Sequence, residues 1–309
     1  MTGTGTQADP YKPTTWEEVL SCTANDGIYT DFPVTLVKTS DTQVKSFKVY
    51  LRQDGSVVKK PKTSEISTYY ENTFVFNMND YYPEGITSTI QLRGFINGKG
   101  ATIKNASYSG NDGAFRVSND NSGGQIVGLN FTDFRFITSH TDTVFIEGSS
   151  NSGTMYRLCQ FSGRVENKGA QYCAITRGGY YATISRCSYN IEIEGNVSID
   201  TENWSAQLQY CNVNVTGITG NDTLNITPNN TFVSGSVNAL TIEGSFGNAK
   251  ESIIDVAASS ISTANGEATL IPVNTDKYSG SLPSGCIGCT TAQLKDAEYL
   301  YSIEFPIQR

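Results

Sequence analysis

The chain has one histidine in 309 residues, and that scarcity closes off much enzyme chemistry. Nucleophilic Ser and Cys normally recruit an imidazole, and zinc sites draw on His and Cys together. Only His140 is available, inside ITSHTDTV, where it reads as a surface side chain in a turn between strands. Basic residues are also short: 22 Lys and Arg stand against 30 Asp and Glu, for a net charge of -8. A nucleic-acid partner needs a cationic face, so none is expected, and the short VVKKPK stretch reads as a solvated loop. No apolar run approaches the roughly 20 residues of a membrane helix. The opening residues have neither a basic start nor an apolar stretch, so no signal peptide is expected. Charged residues make up only 17% of the chain, and its polarity comes from Ser, Thr, Asn and Gly, which favour strands and turns over helices.

Seven cysteines are present, an odd number: Cys22, Cys159, Cys173, Cys187, Cys211, Cys286 and Cys289. Without an export signal they are expected to be reduced. Cys286 and Cys289 form a lone CIGC pair. Zinc needs about four ligands and a redox pair needs a strand-to-helix setting, so packing near a turn is preferred over either. No metal or cofactor is expected.

The centre of the chain repeats. GLNFTDF, RLCQFSG, SRCSYNI, QYCNVNV and FVSGSVNAL are short alternations with a small or thiol residue at a similar place. Cys159, Cys187, Cys211 and Gly235 lie 28, 24 and 24 residues apart. A period in the twenties built from short strands signals a solenoid. The chain is therefore read as all-β, a right-handed parallel β-helix whose strands stack about 4.8 Å apart. Ile191, Ile193, Val197, Ile199, Val213, Val215 and Ile218 show strand-like alternation, and the small residues and cysteines recurring at one position are expected to form an inward-facing ladder. Asn130, Asn190, Asn196, Asn212, Asn221, Asn229 and Asn230 are expected at turns, where Asn tolerates left-handed backbone and stacks its amides. Sequons such as Asn105-Ala-Ser and Asn196-Val-Ser follow from composition.

A solenoid must cover its ends. Near the start, Thr15 reads as a helix cap answered by Glu18, with Trp16, Val19 and Leu20 buried. Near the end, TTAQLKDAEYLYSIEF reads as a second helix with a Thr290–Gln293 capping box and a packing side of Leu294, Ala297, Tyr299 and Leu300. Between about 31 and 85 lies a less regular region with an alternating strand and a D-G turn in SFKVYLRQDGSVVKK, and a strand with a Pro/Gly turn in STYYENTFVFNMNDYYPEG. The expected organisation is an N-terminal cap and irregular insertion over 1–85, the β-helix over 86–285, and a closing helix and tail over 286–309.

GTGTQADPYKPTTWEEVL resembles the GSGT-x-x-DPY…W-x-E opening of β-helix proteins from gut bacteria and their phages. FNMNDYYPEGITSTIQLRGFINGKGATIKNAS resembles their next stretch, where a G-x-G-x-x-I coil follows an N-D-x-x-P-x-G-I turn. CTTAQLKDAEYLYSIEFPI resembles the closing element of GLUG-repeat proteins, although Ile303-Glu304-Phe305 stands where Gly-Phe or Gly-Trp is usual and the GLUG tetrapeptide is absent. The resemblance implies a non-enzymatic structural or interaction protein of a phage virion surface: a head fibre, decoration or tail-associated rod. It implies assembly in the host cytoplasm, self-association with a trimer favoured, contacts with other virion proteins and with a host surface glycan or protein, and neither nucleic acid nor membrane as partner.

The alternatives are a tail-spike-like polysaccharide depolymerase and a bacterial surface adhesin. Glycan hydrolysis needs two carboxylates at a set separation. Asn274-Thr275-Asp276 matches one motif of pectin-type hydrolases, without their D-D, G-H-G and R-I-K partners. A lyase needs clustered acids; Glu192, Glu194, Asp200 and Glu202 are candidates, with Glu192 and Glu194 on one strand face. Solvated strand residues are the preferred reading, so no catalytic, cofactor or metal residue is assigned. The pairs Tyr69-Tyr70, Tyr81-Tyr82 and Tyr180-Tyr181 read as half-buried strand aromatics, with sugar stacking or a protein interface as the alternative.

Overall fold

The computed structural model describes residues 1–25, 27–32, 47–51, 57–61, 74–117, 124–140, 143–148, 154–177, 183–200, 207–243, 249–264 and 268–305. Three parallel sheets wrap one core, as the repeat implied. In one coil the chain runs through Gln125–Val127 in sheet 1, Asn130–Thr138 in sheet 2 and Thr143–Gly148 in sheet 3. It then re-enters sheet 1 at Met155–Arg157, paired in parallel with Gln125–Val127. Among the described residues sheet 1 has nine strands, sheet 2 eleven and sheet 3 eight. Phe47–Leu51 and Val57–Pro61, which carries Lys59 and Lys60, pair antiparallel as a separate two-stranded sheet. The D-G turn between them, Tyr69, Tyr70, Tyr180, Tyr181 and Glu202 lie outside the described residues.

The coil is not constant. Register partners lie 30 residues apart at Gln125 and Met155, 28 at Met155 and Thr183, 24 at Thr183 and Gln207, 20 at Leu208 and Pro228, and 19 at Ala249 and Ala268. Sheet 2 tapers with it, from nine residues at Asn130–Thr138 to six at Asn212–Gly217 and four at Ile271–Asn274. The cause is volume. One inward column of sheet 2 reads Phe76, Ile103, Phe131, Phe161, Tyr189, Val213, Val233, Ile254, Val273 in register. Phe131 and Phe161 stack at 5.5 Å and 3°, and Phe161 and Tyr189 at 4.9 Å and 14°. Close packing lets a coil shrink only where its side chains do, so aromatics hold the wide coils open and Val and Ile close the narrow ones.

The cysteine ladder is real, with one member replaced. Cys159, Cys187 and Cys211 stand one residue before registered pairs of sheet 2, and the next position in that column is Thr231, not Gly235. Gly235 instead opposes Val215 and Val256. Its φ is +125° and an added Cβ would sit 1.8 Å from the Val215 carbonyl oxygen, so a side chain is excluded there. The ladder is also polar. Cys159 Sγ donates to the Ile126 carbonyl at 3.6 Å, Cys187 Sγ to Tyr156 at 3.6 Å, Cys211 Sγ to Ile184 at 3.7 Å and Thr231 Oγ1 to Leu208 at 2.7 Å. Thiol and hydroxyl are interchangeable here because each satisfies a carbonyl of the coil before. All seven cysteines are free. Burial pushes the Cys159 thiol well above its usual range and Cys173 up to about 12, which leaves both unreactive at neutral pH.

The corners correct the asparagine expectation. Left-handed backbone falls on Leu158, Arg186, Tyr210, Asn230, Glu251 and Leu270, and of the seven asparagines named above only Asn230 is among them. The first five of these corner amides are claimed by the next coil, for example Leu158 N to Ser185 O at 3.1 Å and Arg186 N to Gln209 O at 2.9 Å. Those bonds over-determine the conformation, so the roughly 1 kcal/mol cost for a non-glycine residue is tolerated. The amides do pair between rungs, on strands: Asn214 Nδ2 donates to Asn190 Oδ1 at 2.8 Å and Asn225 Nδ2 to Asn196 Oδ1 at 2.6 Å. Ile191, Ile193, Val197, Ile199, Val213 and Val215 are buried, whereas Ile218, just past its strand, is 41% exposed.

Both ends are covered. Helix α1, Trp16–Cys22, starts at Thr15, whose side chain accepts from Glu18 N. Glu18 answers to Thr14 N at 2.7 Å rather than to Thr15, and also meets the terminal amine of Met1. Trp16, Val19 and Cys22 are buried, and Leu20 is only half-buried. Trp16 packs 5.6 Å from Phe76 and donates to Tyr82 Oη at 3.3 Å. Tyr81 and Tyr82 close the short helix α2, Met78–Tyr81, which Asn77 caps, so this pair belongs to the lid and not to a strand. At the other end the Thr290–Gln293 box forms in both directions, at 2.8 and 3.2 Å. One long helix does not follow. Asp296 is extended and caps afresh, accepting from Glu298 N and Tyr299 N, and so splits a 3₁₀ turn at Gln293–Lys295 from helix α3, Ala297–Ser302. Leu294 and Leu300 are buried beneath. Tyr278 Oη accepts from Ile261 N at 3.3 Å, satisfying a donor on the last strand of sheet 3.

Candidate functional site

The corner from sheet 1 to sheet 2 spans two residues in coil after coil: 128–129, 158–159, 186–187, 210–211, 230–231 and 251–252. The coil before these spans four, Gly98 to Ala101, between Phe95–Asn97 and Thr102–Lys104. This corner is two residues longer than each of those six. Gly98 N donates to Val127 O and Gly100 N to Gly128 O, so the bulge is tied to the coil below. Lys99 lies within it at φ +48°. Its ammonium pairs with Asp31 at 2.8 Å, each side chain about one-quarter exposed.

Asp31 ends the strand Tyr29–Asp31, which lies on Phe95–Asn97 in register. Alternation turns Thr30 and Ile96 inward and leaves Tyr29, Asp31, Phe95 and Asn97 facing out. Tyr29 and Phe95 stack at 4.5 Å and 17°. The first residues fold over this face. Tyr11 adds a one-residue rung to Thr30, and Tyr29 N donates to Gly5 O at 2.9 Å. The Gly-Thr lead-in makes that possible: Gly3 has φ +97°, and a Cβ there would meet the Pro10 carbonyl oxygen at 2.1 Å. The result is a cleft of about 280 Å³ lined by Gln7, Pro10, Tyr29, Asp31, Phe95 and Gln125, with Asn97 at its side.

Among the described residues, Asp200 does not join Glu192 and Glu194 in one acidic cluster. Glu192 and Glu194 share the outer face of sheet 2, as expected. Asp200 is 1% exposed, and its carboxylate accepts from Thr227 N at 3.3 Å. Asn274 is fully buried and, with Asp276, clasps the C-terminal segment. Asn274 Nδ2 donates to Asp255 at 2.6 Å and to Thr291 Oγ1 at 3.0 Å, and Thr291 N donates to Asp276 at 2.8 Å. Cys286–Cys289 is the last strand of sheet 2 rather than a turn, and three residues along a strand place its two thiols on opposite faces. His140 is exposed in the corner after Asn130–Thr138. Among the described residues no three His, Cys, Asp or Glu gather as a metal site, and no helix is long and apolar enough to cross a membrane.

Sequence reasoning missed two features. Asp222 is fully buried and ties a corner, accepting from Gly195 N at 2.8 Å and Thr219 Oγ1 at 2.6 Å. Glu166 lies on the outer face of sheet 2 with its side chain 4% exposed, between Arg135 at 2.9 Å, Arg164 at 3.0 Å and Lys168 at 3.2 Å. Burial alone would raise its carboxyl, but the bonds from Arg135 and Lys168 outweigh that and hold it below the usual range. A depressed carboxyl stabilises the fold above its unfolded value, and that contribution disappears as pH falls through the folded value. Thermal melts from pH 7 to about pH 3 should therefore show falling stability, with a shallower fall for Glu166→Gln, which begins from a lower melting point. An unchanged pH profile in the variant would refute the assignment.

No family model matches the chain, and no curated protein or solved structure matches it either.

Proposed function

We propose that the protein is a non-enzymatic structural and interaction rod of a phage virion surface, a head fibre, decoration or tail-associated component. The observation that carries this reading is that the polar residues most suggestive of chemistry are occupied in holding the rod together. Asn274 and Asp276 clasp the C-terminal cap, Asp200 and Asp222 satisfy backbone amides inside the coils, and Glu166 is enclosed by three cations. A solenoid with both ends covered by its own chain suits an exposed particle component. Self-association, with a trimer favoured, belongs to the same reading; Tyr210 and Ile218 on one coil and Phe232 on the next stand 55%, 41% and 41% exposed and offer apolar surface for it.

Mass spectrometry and electron microscopy of purified source particles test the reading. The chain is expected on the particle exterior in symmetric copies, and its absence from particles would overturn the proposal. Release of new reducing or unsaturated ends from host polysaccharide by the purified chain would overturn the non-enzymatic part and favour the depolymerase.

A further inference from the structure

We infer that the cleft beside Tyr29 and Phe95 is a binding subsite for one neutral pyranose ring of a glycan. The surface-rod reading bears on this only in naming who presents the sugar, and the two claims fail separately.

Three independent features converge. The first is the break in the frame: the inserted residues Gly98 to Ala101 replace a two-residue corner, and the break sits beside the cleft. A lysine is held at φ +48° in that break, off the regular left-handed position that Gly100 occupies one residue later. That placement sets the Lys99 ammonium against Asp31, which lines the cleft. The second is composition. Tyr29 and Phe95, stacked on each other, line the cleft with apolar aromatic surface suited to the C–H groups of a sugar, and Gln7, Asn97 and Gln125 bring amides that both donate and accept. The third is charge. The ion pair of Asp31, which lines the cleft, and Lys99 beside it, each side chain about one-quarter exposed, sets an acceptor next to donors, which matches adjacent hydroxyls. Because that pair is already balanced, an anionic or cationic ligand would have to break it, whereas a neutral sugar bridges it. At about 280 Å³ the cleft falls near the lower limit of small-molecule sites, roughly 300–1,000 Å³, which suits one ring of a longer chain.

The test is saturation-transfer NMR and calorimetry on the full chain with maltose, cellobiose, lactose and chitobiose at up to about 20 mM, the range of weak single-subsite affinities. At least one sugar should bind. Phe95→Ala should weaken it tenfold or more. Lys99→Gly should do the same while leaving the melting temperature unchanged or higher, since glycine accepts the left-handed backbone without strain. Lys99→Gly guards against misreading a folding defect in Phe95→Ala. Failure of all four sugars to bind, or binding that neither variant weakens, would overturn the subsite. Particle location is read by microscopy and is untouched by that result.

Discussion

Replacing Phe161 with alanine should destabilise the rod by about 3–5 kcal/mol, more than the same truncation anywhere in the narrow coils. Phe161 is fully buried at the middle of a ring stack, with Phe131 on one side and Tyr189 on the other. Removing it takes away the largest apolar group of its coil and leaves two rings facing a cavity that a parallel ladder cannot collapse. The strands above and below are held in register by backbone hydrogen bonds, so the sheets cannot close on the void. Val233→Ala, in the same column three coils on, should cost about 2 kcal/mol, because fewer methyl groups leave and the coil is already narrow. Urea denaturation of both variants, followed by circular dichroism, measures the difference. Equal losses at the two sites would refute the view that aromatic volume sets the taper.

Trp16→Ala should be comparably damaging, at about 3–5 kcal/mol, with a different signature. Trp16 is 1% exposed, packs on Phe76 and donates to Tyr82 across the first coil. Its loss uncovers the end of the apolar column and frees the indole's partner as well. The exposed end is a row of strand edges and apolar side chains, so the variant should bind the dye ANS and associate at concentrations where the parent does not. Lowered stability without new association would mean that α1 packs on the core without covering it. Unchanged stability and solubility would remove the lid role altogether.

Much of the fold was legible in the sequence because a solenoid writes its repeat along the chain. Short alternating strands and thiols at similar intervals both follow from one stacking rule. The end caps were legible too, since Thr15 with Trp16 and Thr290 with Gln293 are local signals that need no tertiary partner. Local signals misled where a competing local bond or a neighbouring coil decided the outcome. Asp296 re-caps the closing segment and divides one expected helix in two. The Gly235 assignment failed because a fixed 24-residue spacing was carried into a coil that had shrunk to 20.

The amino-acid sequence by itself determined the class of architecture, the polar outer faces, the cysteine ladder and the covering of both ends, because each rests on residue type and spacing within about one coil. Only the tertiary structure decided the register, the taper and the cleft. Register depends on which residues meet after a turn of 19 to 30 residues, and that is settled by ring stacking and backbone pairing between coils. The cleft depends on it further. Tyr29 and Phe95 are 66 positions apart, Asp31 and Lys99 are 68 apart, and nothing in the chain between them marks either pair. They meet because parallel strands stack coil on coil, bringing distant residues to one surface at the spacing of a single rung.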